Sequence, residues 1–121
     1  ELCRAFPLSG PDEFHSAPPL VPSLWGPQGE VVKQVAVAHG AALSGDVFLL
    51  LSDALAAWYL RAHTAGAHDL LASFETAMAS WRDSARRDNL VELLLAERRA
   101  ARLRDDDYAV VRVTVERVQL S

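Results

Sequence analysis

The feature that most constrains this chain is a run of five apolar residues, Val47 to Leu51, that stops two positions before Asp53. A turn sequence, Ser-Gly-Asp at 44–46, precedes the run. Every position is apolar, as in a strand covered on both faces, whereas a strand with one wet face alternates. We therefore predict a central β-strand here. A helix is expected to begin at Asp53, because the apolar spacing then changes to i, i+3, i+4 and i+7.

Helical spacing recurs twice more along the chain, and alternation typical of strands appears at two further places. The predicted helices cover 53–63, 69–82 and 88–103, and the other predicted strands cover 31–38 and 108–115. The third helix is expected to have Asp88 or Asn89 as its N-cap. Strands on both sides of a helical segment favour an α+β fold with helices packed on one face of a sheet.

Apolar stripes along these elements indicate which side chains form the core. The expected core positions are Leu55, Trp58, Tyr59 and Ala62 in the first helix, Leu70, Phe74, Ala77, Met78 and Trp81 in the second, and Leu90, Val91, Leu94 and Leu95 in the third. In the last strand Ala109, Val111, Val113 and Val115 share one face, and Tyr108, Arg112 and Thr114 share a wetter one.

Composition and charge exclude several classes of protein. The chain has 121 residues and a net charge of -4, which argues against general binding to nucleic acid or to an anionic membrane surface. No apolar run approaches the roughly 20 residues of a membrane helix. The single cysteine, Cys3, excludes an internal disulfide and favours a reducing compartment such as the cytoplasm.

The first part of the chain is predicted to form a long irregular loop. The chain as a whole is expected to be part of a larger protein. All six prolines lie between Pro7 and Gly29, which excludes a helix interior or a central strand there. The chain begins at Glu1, and its one methionine is Met78. We expect residues 1–121 to be a portion of a single domain whose N-terminal half precedes them.

Acidic residues follow one predicted strand and precede another. Asp53 comes directly after the buried strand, where it could act as a helix cap or as a metal ligand. The triplet Asp105-Asp106-Asp107 precedes the last strand and could be a solvated turn, or it could direct Asp106 inward. If the two strands are antiparallel neighbours, Asp53 and Asp106 reach the same edge of the sheet. Two such carboxylates with water suit a hard cation, Mg²⁺ or Mn²⁺.

Two segments resemble motifs of the type 2C, metal-dependent protein phosphatases. GDVFLLLSDAL, from Gly45 to Leu55, is similar to the family segment in which a Gly-Asp turn leads a hydrophobic strand into Ser-Asp-Gly-Leu. RLRDDDYAVVRV, from Arg102 to Val113, is similar to the closing motif of the family, and the order and spacing agree. The early segment AFPLSGPDEF, from Ala5 to Phe14, is similar to a bacterial branch of the family.

This resemblance implies an antiparallel β-sandwich flanked by helices, of which the chain would be the C-terminal half. It implies hydrolysis of phosphoserine and phosphothreonine in proteins, with two Mg²⁺ or Mn²⁺ ions at the sheet edge in the complete domain. By position, Asp53 and Asp106 correspond to metal-ligating aspartates. We expect a cytoplasmic bacterial signalling enzyme acting on a phosphoprotein, and we expect the present portion alone to be inactive.

Two other interpretations remain open. Ala54 stands where most members of the family have glycine, and Ala57 stands where many have aspartate, which favours a non-catalytic regulatory or protein-binding domain on the same scaffold. The arginine-rich segment from Arg82 to Arg104 could form a nucleic-acid surface. Because acidic residues interleave with its arginines, a helix surface carrying ion pairs is the favoured reading.

Overall fold

The computed structural model describes residues 2–8, 10–14 and 37–117. Within these residues the protein has an α+β fold, which confirms the predicted class. The elements are a 3-10 turn (Pro11–Glu13), strands β1 (Val47–Leu51) and β2 (Val110–Thr114), and helices α1 (Asp53–Thr64), α2 (His68–Ala79) and α3 (Ser84–Arg99). Most of the predicted strand at 31–38 and much of the proline-rich loop lie outside the described residues.

The two strands form an antiparallel pair. Val47 lies opposite Thr114, and Leu51 lies opposite Val110. Backbone hydrogen bonds extend the pairing beyond both ends of β1, where the Gly45 N–H donates to Val115 O and the Ser52 N–H donates to Ala109 O, each at 2.9 Å. The segment that follows β1 and the segment that precedes β2 are therefore held side by side.

The core lies between the helices and one face of this sheet. Leu55, Trp58 and Phe74 have the largest fully buried side chains. The Phe74 ring meets the rings of Trp58 and Tyr59 edge to face, with centroids 5.4 and 6.1 Å apart. Aromatic pairs favour this geometry, because the positive ring edge meets the negative ring face. From the sheet, Leu49, Leu51 and Val110 pack against this cluster.

The other face of the sheet is apolar and exposed. Phe48, Leu50, Val111 and Val113 expose 49, 56, 54 and 45% of their surface, respectively. The prediction that β1 is covered on both faces is therefore wrong within the described residues. The expected faces of β2 are also reversed, because Arg112 lies on the helix side and its Nε donates to Glu75 Oε1 at 2.7 Å.

The first helix agrees with the prediction to within one residue, whereas α2 ends three residues earlier than expected and α3 both begins and ends four residues earlier, at Ser84 and Arg99 rather than at 88 and 103. Helix α3 begins at Ser84, and its N-cap is Asp83, whose carboxylate accepts the Ala85 N–H at 3.0 Å, so the expected cap at Asp88 or Asn89 is wrong. Helix α2 ends at Ala79, which leaves Trp81 outside the helix and half exposed. The remaining errors concern α3, where Val91 and Leu95 were expected in the core and are exposed.

The C-terminus of α3 turns back sharply at Ala101. The Ala101 N–H donates to Arg98 O and the Arg102 N–H donates to Glu97 O, which is the Schellman arrangement. Ala101 has φ 59°, a left-handed conformation that favours glycine. Leu103 follows and is buried, so the chain is anchored as it leaves the helix toward β2.

We expect Ala101→Gly to stabilise the protein by about 0.5–1 kcal/mol, because glycine adopts a positive φ without the steric cost that alanine carries. The matched control is Ala100→Gly, one residue earlier, where φ is -80° and glycine brings only an entropic cost. Urea denaturation measures both variants. Equal destabilisation by the two substitutions would contradict the interpretation.

Candidate acidic site at the sheet edge

The structure brings Asp53 and Asp106 together at one edge of the sheet. Asp53 is the first residue of α1, two positions after β1, and Asp106 lies four positions before β2. Both carboxylates accept a hydrogen bond from the same atom, Arg104 Nη2, at 2.8 Å for Asp53 Oδ2 and 2.6 Å for Asp106 Oδ2. We call these three residues the acid–arginine cluster. The two carboxylates were expected to converge if β1 and β2 were antiparallel neighbours, and the two strands are paired in this way.

The two oxygens of Asp53 have different partners. Oδ1 accepts the Ala54 N–H at 2.8 Å, in the first turn of α1, where the positive end of the helix dipole favours a carboxylate. Oδ2 faces Arg104. The N-cap of α1 is Ser52, so the expectation that Asp53 could cap the helix is wrong, and Asp53 instead uses one oxygen within the first turn and the other for Arg104. The Ala109 N–H donates to Ser52 Oγ at 3.1 Å and further fixes the residue before Asp53 against the segment that leads to β2.

Asp106 is held as a carboxylate by two hydrogen bonds. The Asp107 backbone N–H donates to Oδ1 at 2.8 Å, and Arg104 donates to Oδ2. These contacts, the backbone one foremost, lower the pKa of Asp106 below its ordinary value. The hydrogen bonds to Asp53 and Asp106 in turn raise the pKa of Arg104. Arg104 and Asp106 therefore stabilise each other's charged forms.

Arg104 reaches the carboxylates because of the turn that ends α3. The Schellman turn at Ala101 and the buried Leu103 direct the chain back toward the sheet edge, and the Tyr108 hydroxyl donates to Arg104 O. Asp105, in contrast, accepts from Arg98 on the α3 surface. Asp105 and Asp106 therefore differ in role, and they lie in a bend before β2 rather than in an extended strand.

Sequence patterning predicts Arg104 to be one of the arginines on a helix surface that carries ion pairs, and the structure instead places it between two carboxylates at the sheet edge. Its proximity to Asp106 in sequence was visible, whereas its contact with Asp53 joins positions 51 residues apart. The expected ion pairs on the arginine-rich segment are confirmed for Arg86 with Asp83, Arg98 with Asp105 and Arg102 with Glu97.

The donor atoms of the cluster suit one hard cation. Two carboxylate oxygens lie within hydrogen-bond distance of a single point, and Mg²⁺ binds such oxygens at about 2.1 Å. Across residues 2–8, 10–14 and 37–117, no group of three or more His, Cys, Asp or Glu side chains could hold a metal ion. The described part of the chain therefore offers two protein ligands, and water or residues outside it would complete the coordination.

Two surface grooves lie away from the cluster. One, of about 540 Å³, runs between α2 and α3 and is lined by Asp69, Ser73 and Asn89, among others. The other, of about 960 Å³, lies between the α2–α3 connection and β2 and includes Trp81 and Arg112. Neither is lined by the carboxylates of the cluster.

The fold and the cluster define a small α+β chain with two convergent carboxylates at a sheet edge. Comparisons with protein-family models, with curated proteins and with solved structures found no match to this chain. Among the helices that the structure describes, none is long and apolar enough to cross a membrane.

Proposed function

We propose that residues 1–121 are the C-terminal part of a type 2C-like protein-serine/threonine phosphatase that uses a metal-activated water. The observation that carries the proposal is the convergence of Asp53 Oδ2 and Asp106 Oδ2 on one cationic atom. A structural helix cap would not require a second carboxylate from a segment 53 positions further along the chain to share its partner.

The role of the two aspartates in this reaction is to hold a cation. A bound Mg²⁺ or Mn²⁺ lowers the pKa of its water and neutralises charge that develops on the phosphoryl oxygens. Asp53 and Asp106 would supply one carboxylate oxygen each to one of the two ions expected in the complete domain. In this proposal the two residues bind the metal ion and have no role in proton transfer.

The exposed apolar face of the sheet supports a larger fold than the described residues form. Phe48, Leu50, Val111 and Val113 make a contiguous apolar surface of the kind that soluble proteins cover. A second antiparallel sheet packed on this face would complete a sandwich with the helices outside. The single cysteine agrees with a cytoplasmic location for such a protein.

A second candidate function is a non-catalytic regulatory or protein-binding domain on the same scaffold. The observation that favours it is Arg104, whose guanidinium already supplies positive charge between the two carboxylates. A domain that has lost its metal could retain the acidic pair in this way.

The proposal is tested with the complete protein, by Mn²⁺-dependent hydrolysis of a phosphoserine peptide. We expect Asp53→Asn and Asp106→Asn to lower kcat/KM at least about 100-fold, because each removes a charged ligand, and even supporting residues around metals are worth 10- to 100-fold. The matched control is Asp105→Asn, which changes the neighbouring carboxylate that pairs with Arg98. It should retain near-normal activity.

Full activity in the Asp53 and Asp106 variants would refute the assignment of these ligands. A folded wild-type protein without Mn²⁺-dependent hydrolysis would select the non-catalytic alternative.

A further inference from the structure

We propose that Arg104 is a built-in cation that closes the Asp53–Asp106 site, so that a divalent cation binds there only after the Arg104 side chain has moved away. This inference rests on the proposed function, because it concerns how metal reaches that site. The juxtaposition that carries it is a single guanidinium nitrogen hydrogen-bonded to both candidate ligand oxygens.

The first step of the argument is that Arg104 and a metal ion compete for the same space. Mg²⁺ or Mn²⁺ bound to both oxygens would lie at about 2.1 Å from each, close to the point that Nη2 occupies. The same two lone-pair regions would also have to serve both cations. Two positive centres this close repel each other strongly in addition to their steric conflict. The two occupants therefore exclude each other.

The second step is that the Arg104 side chain is free to leave without unfolding its surroundings. About half of the side chain is exposed to solvent, so water can replace its hydrogen bonds. Its backbone is held separately, because Tyr108 donates to the carbonyl and the preceding residue, Leu103, is buried. The guanidinium can rotate outward while the backbone of the loop keeps its position.

The third step concerns what Arg104 does before metal arrives. Two carboxylates that face one point repel each other when no cation lies between them. Arg104 offsets this repulsion and keeps both side chains aimed at the shared point. The arginine thus preorganises the ligands and at the same time lowers the apparent affinity for metal, since every binding event must displace it.

The experiment is a titration of the complete protein with Mn²⁺, followed by calorimetry and by the electron paramagnetic resonance of free Mn²⁺. We expect Arg104→Gln to bind one Mn²⁺ at least about tenfold more tightly than the wild type, because the competing charge is gone. Arg98→Gln is the matched control, since it removes an arginine that pairs with Asp105, and it should leave affinity unchanged. The double variant Arg104→Gln/Asp53→Asn should lose the gain.

The Arg104→Lys variant is the control for misfolding. It keeps the positive charge, so its Mn²⁺ affinity should stay within about threefold of the wild type, and thermal melting verifies that all variants are folded. Equal or weaker Mn²⁺ binding by folded Arg104→Gln overturns the inference. If Asp53→Asn and Asp106→Asn still abolish hydrolysis in that case, the phosphatase proposal is retained and only the inference about Arg104 is rejected. A tenfold gain in a protein that hydrolyses no phosphoester would support the closure of the site and reject the phosphatase.

Discussion

Replacement of Phe74 by alanine is expected to lower the free energy of unfolding by about 3–5 kcal/mol. The Phe74 side chain is fully buried and contacts both Trp58 and Tyr59, so its removal eliminates apolar burial and leaves a cavity between α1 and α2. Helices this tightly packed relax only partly around such a cavity. The loss would be a large fraction of the 5–15 kcal/mol that typically stabilises a domain.

Urea denaturation monitored by circular dichroism measures this effect. Phe74→Leu retains most of the apolar volume and should cost clearly less than Phe74→Ala. Ser73→Ala changes the exposed neighbour on the same helix and should stay within about 0.5 kcal/mol of the wild type. A loss below 1 kcal/mol for Phe74→Ala would show that this aromatic cluster is not the centre of the core.

Replacement of Glu97 by alanine is expected to destabilise the protein by about 1–3 kcal/mol, counting only the hydrogen bond that the Trp58 indole would lose. Glu97 is the buried charged residue of the described core, and its Oε2 accepts the Trp58 Nε1–H at 3.1 Å. Arg102 donates to both of its oxygens, at 2.8 and 2.9 Å. Without the carboxylate, the buried indole N–H has no acceptor. No hydrogen bond then offsets the free energy that is needed to remove it from water.

Acid titration of stability separates the charge of Glu97 from its packing. Its hydrogen bonds, chiefly that with Arg102, lower the pKa of Glu97 below the ordinary value of 4.5. Because the folded state has the lower pKa, the carboxylate stabilises the fold above pH 4.5, and this stabilisation is lost as the pH falls through the folded-state pKa. Glu97→Gln keeps an acceptor for Trp58 and should lose this part of the acid sensitivity. An unchanged pH profile in Glu97→Gln would contradict the assignment.

Glu97 also links the core to the acid–arginine cluster. Its backbone carbonyl accepts from Arg102 and Leu103, while Arg61 of α1 donates to Arg102 O at 3.1 Å. The loop that carries Arg104 is therefore tied to α1 and α3 at once. The Glu97 side chain also binds the Arg102 guanidinium, so its removal should loosen the loop that carries Arg104, even though Glu97 is not part of the site.

The amino-acid sequence alone was enough to predict β1 and α1, whereas α3 lies four residues earlier at both ends than its predicted range. The apolar run predicted β1 with both boundaries correct, and the helical spacing placed α1 within one residue at its C-terminus. These features depend on side chains close together in sequence, so they are visible without the fold. The acidic pair was found for the same reason, since each aspartate adjoins a recognisable strand.

Which face of β2 packs on the helices, and which residues Arg104 contacts, became visible in the three-dimensional structure alone. The alternation in β2 could not show that Arg112 faces the helices, because that depends on Glu75 from α2 lying opposite. Likewise, no spacing revealed that Arg104 pairs with Asp53, since the contact requires both the β1–β2 register and the sharp turn after α3. Contacts between distant segments arise from the packing of whole elements, and their energy is not encoded in any one stretch of the chain.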